Sequence, residues 1–249
     1  MQKISRLGSA LPPAAIGFQP DFLDFQRGIR VGNLEDNQRI TRILKLALEG
    51  RYQQPFVTER WGRGVYWQWI GFLSRANRSA MPLSSHVSFG CSKFFITVDT
   101  EEKLFKCGLQ VERGYIEAPK DYPQCQLKAD WDWHRLVRSL RPKSRTEQEL
   151  RRLILREGFL LHAGGWDPSV RSFSKANLPD MRKLHKLLDS APSDQWAGFQ
   201  VYFPMKENEV GGCLGVDLVD AMMAVFDEVA PLMNQCMKIP LNTKQKLSS

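Results

Sequence analysis

The chain has 249 residues, 43% hydrophobic and 25% charged, with 35 Lys and Arg against 27 Asp and Glu. That balance supports a sizeable buried core and excludes a disordered, collagenous or disulfide-dense class. No apolar run reaches the roughly 18 residues needed to cross a bilayer, so no membrane association is expected, and an N-terminus interrupted at Pro12-Pro13 does not read as a cleaved secretory leader.

In chain order, Asp21 predicts the cap of a first helix running to about Arg30, with Phe22, Leu23, Phe25 and Ile29 as apolar contacts. Beyond Gly32, Asn33 caps a second helix. In it Ile40, Ile43, Leu44, Ala47 and Leu48 recur at helical spacing, and Gly50 is the expected stop. The next third reads as a β-meander. Val65, Trp67 and Trp69 alternate with Tyr66, Gln68 and Ile70, and the two tryptophans are expected in the core. Val87, Phe89 and Cys91 suggest a further strand. Residues 93–113 form the clearest hairpin, turning at Asp99-Thr100-Glu101-Glu102. Short connections favour antiparallel pairing.

Residues 119–129 read as a loop that divides a helical hairpin plus meander (1–118) from a helix-rich part (119–249) sharing the same core. Asp130 or Asp132 caps a helix with Trp133, Leu136, Val137 and Leu140 on one face, ended by Pro142. Two overlapping capping boxes in residues 144–149 open another, with Leu150, Leu153 and Ile154 inward and Gly158 at its end. A short strand at 159–162 follows, then a turn-rich loop at 163–169, a helix near 179–189 and a strand at 199–203. A last helix runs from about Val216, kinked or ended by Pro231. The expected fold class is α+β: a mainly antiparallel sheet with helices packed on it, in one large domain of up to two subdomains.

Five scattered cysteines (Cys91, Cys107, Cys125, Cys213, Cys236) are the pattern of free thiols in a reducing compartment, which predicts a cytoplasmic protein. No zinc-ligand spacing occurs, so no metal is expected, and no motif assigns a cofactor. Gly211-Gly212-Cys213-Leu214-Gly215 lacks the lysine and hydroxyl of a phosphate-binding loop, and no serine-nucleophile elbow is present.

Charge location carries the most information. Residues 135–186 hold 13 Lys and Arg against 5 Asp and Glu, which is the whole net surplus of the chain. Arg135 and Arg138 lie off the apolar stripe of the first of two consecutive helices, Arg141, with Lys143 and Arg145, follows in the connecting loop, and Arg151, Arg152 and Arg156 lie off the stripe of the second. Arginine's planar fork suits phosphate, so Arg135, Arg138, Arg141, Arg151, Arg152 and Arg156 are expected to present a surface for nucleic acid or another polyanion. Trp61 and Arg63, the latter between Gly62 and Gly64, are expected to add a base-stacking loop. An acid–base set is the alternative. Asp130, Asp132 and His134 share an alternating spacing, and Glu112 opposes Asp99 across the 93–113 hairpin, although no lysine completes a nuclease pattern there. The leading expectation is therefore polyanion binding. The others are an enzyme acting on a phosphorylated small molecule or nucleic acid, and a protein-interaction module whose basic segment meets an acidic partner.

Overall fold

Strand alternation sorts the side chains of this protein onto two unlike faces. The structure, a computed structural model, describes residues 11–81, 89–165 and 170–243. Its strands are β1 (Leu23–Asp24), β2 (Gly28–Arg30), β3 (Phe56–Arg63), β4 (Tyr66–Ser74), β5 (Lys93–Asp99), β6 (Leu104–Gly114), β7 (Leu160–Gly165), β8 (Val170–Phe173) and β9 (Ala197–Lys206). Every strand pairing is antiparallel. The order runs β4-β5-β6-β9-β7-β8, with β3 on the far side of β4 and β2 paired to the first residues of β4, ahead of β5.

On one face, Phe94, Ile96 and Val98 of β5 and Phe105, Cys107, Leu109 and Val111 of β6 point into the main core. Phe199 and Val201 of β9 join them. Five helices bury that face: α1 (Ile40–Tyr52), α3 (Asp132–Ser139), α4 (Arg145–Arg151), α5 (Met181–Asp189) and α7 (Gly215–Cys236). Phe226 of α7 stacks on Phe94 with ring centroids 4.7 Å apart, and Tyr52 of α1 stacks on the same ring at 5.8 Å. One cluster takes residues from both sides of position 118, so the loop at 119–129 does not divide the core. The fold is α+β, as the sequence implies.

The opposite face carries a polar row across four strands, Lys93–Gln110–Gln200–His162 in register. These side chains are satisfied by one another and by neighbours on the same face. Lys93 Nζ lies 2.7 Å from Glu112 Oε2, and Gln110 Oε1 accepts from Trp69 Nε1 at 2.8 Å and from Gln200 Nε2 at 2.9 Å.

Three local expectations are corrected. Residues 21–30 are not a helix: a single 3-10 turn (Pro20–Phe22) leads into the β1–β2 hairpin, so the N-terminal part has no helical hairpin. Gly28, at φ 108°, explains why, since that conformation has no place in a helix. The second helix starts at Ile40 and ends at Gln53 in the left-handed region, passing through Gly50. Trp67 and Trp69 do not share a face. Pairing of Trp61 with Trp69 but of Gly62 with Trp67 makes Gln68 a bulge that reverses the alternation. Trp67 is buried in the core, whereas Trp69 lies half-buried on the polar face.

Elsewhere the strand at 159–162 runs on to Gly165, and α7 continues past Pro231 to Cys236. Phe89 and Cys91 lie in turns, not a strand, and Val87 is outside the described residues, as is the 166–169 part of the expected loop. No helix of the described residues is long and apolar enough to cross a membrane, and all five cysteines are free thiols.

Candidate nucleic-acid interface

The basic segment folds into α3, a tight corner, α4 and a π-helical turn (Arg152–Arg156). Ser144 caps α4 by accepting from the Glu147 N–H at 3.1 Å, and the Glu147 carboxylate accepts from the Lys143 N–H at 2.6 Å. Lys143 itself sits at φ 65°, which turns the chain sharply between the helices. Leu136, Leu140, Leu150, Leu153 and Ile154 bury the inner faces, so the cations are left on the outside.

Those cations have unequal fates. Arg135 is ion-paired with Asp130. Arg151 Nε lies 3.0 Å from Glu147 Oε1, and the Lys143 N–H, more than Arg151, holds the Glu147 carboxyl below its ordinary range. Arg152 bridges Glu149 at 3.0 Å and Glu228 of α7, and it also donates to the Glu228 carbonyl at 2.8 Å. Burial disfavours its charge, but those partners outweigh burial and hold its pKa above the ordinary value. By contrast Arg138, Arg141, Lys143 and Arg145 are exposed, and none has an ion pair among the described residues. They fall within eight residues that contain no carboxylate. Arg156 is exposed and likewise has no ion pair among the described residues, at the end of the π-helical turn.

The acid–base set does not converge. Asp132, at the first position of α3, is fully buried: Oδ2 accepts from the Ser92 N–H at 2.6 Å and from Asn77 Nδ2 at 2.7 Å, and Oδ1 from the Lys238 N–H at 3.1 Å. Asn77 Oδ1 in turn accepts from the Ile239 N–H at 2.9 Å. The pair thus ties the start of β5, the short helix α2 (Arg75–Ser79) and the chain beyond α7 into one knot. Burial holds the Asp132 carboxyl above the ordinary range even against these donors. Asp130 is exposed, with φ 67°, and its carboxyl is held low by Lys238 and Arg135. His134 Nε2 sits 3.1 Å from the Lys128 carbonyl. Glu112 faces the polar side of the sheet with Lys93. Asp99 pairs with Leu104, eight residues and about 27 Å along β6, so the two carboxylates lie at opposite ends of the hairpin. No group of three or more metal-ligating side chains occurs among the described residues.

Trp61 is 74% exposed near the β3–β4 turn, beside exposed Arg63, while Arg60 stacks over the Trp67 ring at 3.6 Å. Trp61 pairs with Trp69, about 17 Å along β4 from Ser74, the residue that caps α2 beside Asp132. The Trp61 pairing is therefore displaced along β4 from the end that meets the start of α3.

Beside the cationic corner, α3 and α5 enclose a shallow groove of about 610 Å³. Arg138, His134 and Val137 form one wall, His185, Leu188 and Asp189 the other, and Arg113 lies at its base. Arg113 is buried and satisfied by carbonyls: Nη1 donates to Ala191 at 2.7 Å, and Nη2 to Pro192 and to Gln195, the latter at 2.6 Å. His185 is half-buried in this groove, because α5 packs against α3. No spacing rule reveals a groove made by two helices some fifty residues apart. At the first residue of α7, a Cβ on Gly215 would overlap the Phe18 carbonyl, so close packing of the chain requires the glycine there.

Neither protein-family models nor curated proteins match the chain.

Proposed function

We propose that the corner between α3 and α4 binds a polyanion, with the backbone of a nucleic acid as its ligand. One observation carries this reading: Arg138, Arg141, Lys143 and Arg145 are exposed and lack ion pairs among the described residues, while Arg135, Arg151 and Arg152 around them are neutralised. The six-arginine surface expected from sequence thus narrows to Arg138 and Arg141, joined by Lys143 and Arg145 of the connecting segment, with exposed Arg156 standing apart at the end of the π-helical turn. Each phosphate neutralised releases condensed counterions, so affinity depends steeply on salt. With four contacts, the logarithmic slope for duplex DNA is about −3.6, a loss of roughly 100-fold between 50 and 200 mM salt.

The acid–base alternative draws no support from side chains committed to separate structural bonds. Trp61 and Arg63 lie apart from the start of α3 and are left out of the contact.

Fluorescence anisotropy with labelled DNA and RNA oligomers at those two salt concentrations tests the proposal. Expected are micromolar binding at low salt, the stated slope, and loss of at least tenfold in affinity for the double variant Arg141→Glu/Arg145→Glu at an unchanged unfolding midpoint. No binding at low salt, or a double variant that binds like the unaltered protein, overturns it.

A further inference from the structure

The groove between α3 and α5 adjoins the corner through one residue, Arg138, which belongs to both. Its Nε donates to the His134 carbonyl at 3.2 Å, so the side chain folds back along α3 toward the groove. At about 610 Å³ the groove falls in the size range of small-molecule sites, roughly 300–1,000 Å³. Its walls are mixed in the manner of such sites. Leu127 and Val137 supply apolar surface, and the His134 and His185 rings supply flat faces with polar edges. Asp189 is exposed and has no cation paired to it among the described residues, so its carboxylate is free to accept hydrogen bonds.

The charge is graded along the groove. The Arg138 end continues into Arg141 and Lys143, while the opposite wall carries Asp189. The other carboxylate at the rim, Asp130, is already neutralised by Arg135 and Lys238. A ligand matched to this gradient has an anionic group at Arg138 and, next to it, a flat, largely apolar ring with N–H donors on its edge. A nucleotide has that construction. In a duplex the base edges are paired and the rings stacked, so a base reaches a groove between two helices only from a single strand.

We propose that this groove receives an unpaired base of a single-stranded nucleic acid whose neighbouring phosphate is held by Arg138. The inference rests on the corner's reading as a phosphate-binding patch and adds to it the strandedness of the ligand.

Three probes of equal phosphate number separate the two ideas by anisotropy at low salt: a single strand, its duplex, and a single strand carrying abasic sites in place of bases. The single strand is expected to bind about tenfold more tightly than the other two, the scale of one stacked base. Ala129 is exposed at the groove rim, so Ala129→Phe fills the groove without entering the core. That variant, and His185→Ala independently, should bring the single strand down to the duplex value and leave duplex affinity unchanged. Urea unfolding midpoints confirm that each variant is folded. Equal affinity for all three probes, or a single-strand preference that survives in Ala129→Phe, overturns the groove proposal and leaves the corner standing. Absence of binding to every probe overturns both.

Discussion

Replacing Asp132 with alanine tests the meaning of the buried carboxylate beside the corner. The substitution removes the acceptor for three donors, the Ser92 N–H, Asn77 Nδ2 and the Lys238 N–H. Ser92 and Asn77 are 0% and 1% exposed, so water does not reach their orphaned donors, and each costs about 1–3 kcal/mol. Lys238 is exposed and its N–H finds solvent instead. Burial already disfavours the Asp132 charge, as its raised pKa records, and losing that charge returns part of the cost. The net expectation is a destabilisation of about 2–4 kcal/mol, or roughly 5–15 °C in Tm for a chain of this size. Urea unfolding followed by tryptophan fluorescence measures it, with Asp130→Ala as control. Asp130 is exposed, and solvent screens its surface ion pairs, so its loss should leave the unfolding midpoint much closer to that of the unaltered protein than Asp132→Ala does. If Asp132→Ala leaves the unfolding midpoint within about 0.5 kcal/mol of the unaltered protein while abolishing a measurable activity, the structural assignment fails and the acid–base reading returns.

Three further outcomes are expected. Stability should fall as pH drops from 6.5 toward 4, because burial lowers the pKa of His162 to about 4 while the unfolded chain takes up its proton near 6.5; stability is complete above that window. Discounted for partial exposure, the effect is about 2 kcal/mol or less, and His162→Gln should flatten urea midpoints across that range. Gly215→Ala should destabilise by about 2–3 kcal/mol, since its Cβ meets a backbone carbonyl that cannot swing aside; thermal unfolding reads this, and an unchanged Tm refutes the packing. Trp61→Ala should change stability by less than about 0.5 kcal/mol, its ring being mostly in solvent, and should leave anisotropy binding unaltered if the α3–α4 corner is the contact.

Much of the architecture was legible because it is local. The stripe of Ile40, Ile43, Leu44, Ala47 and Leu48 is fixed by helical period alone, and all five are buried. The 93–113 hairpin and the Ser144 cap likewise depend on residues a few positions apart. The apolar positions of 21–30 misled because a helix and a short hairpin both bury such a set, and only pairing of Ile29 with Trp67 selects the hairpin. The Gln68 bulge was equally hidden, as it arises where β4 changes partner from β2 to β5.

By itself the sequence determined the fold class, most element positions and the segment that holds the surplus charge, since propensity, periodicity and chain neighbourhood act over a few residues. Tertiary structure alone decided which charges remain available. Arg152 is claimed by Glu228, 76 residues away, and Asp132 by the backbone of Lys238, 106 residues away, whereas the side chains of Arg138, Arg141, Lys143 and Arg145 pair with no carboxylate among the described residues. Coulomb and hydrogen-bond energies depend on distance through space, and sequence separation does not encode that distance until the chain has packed.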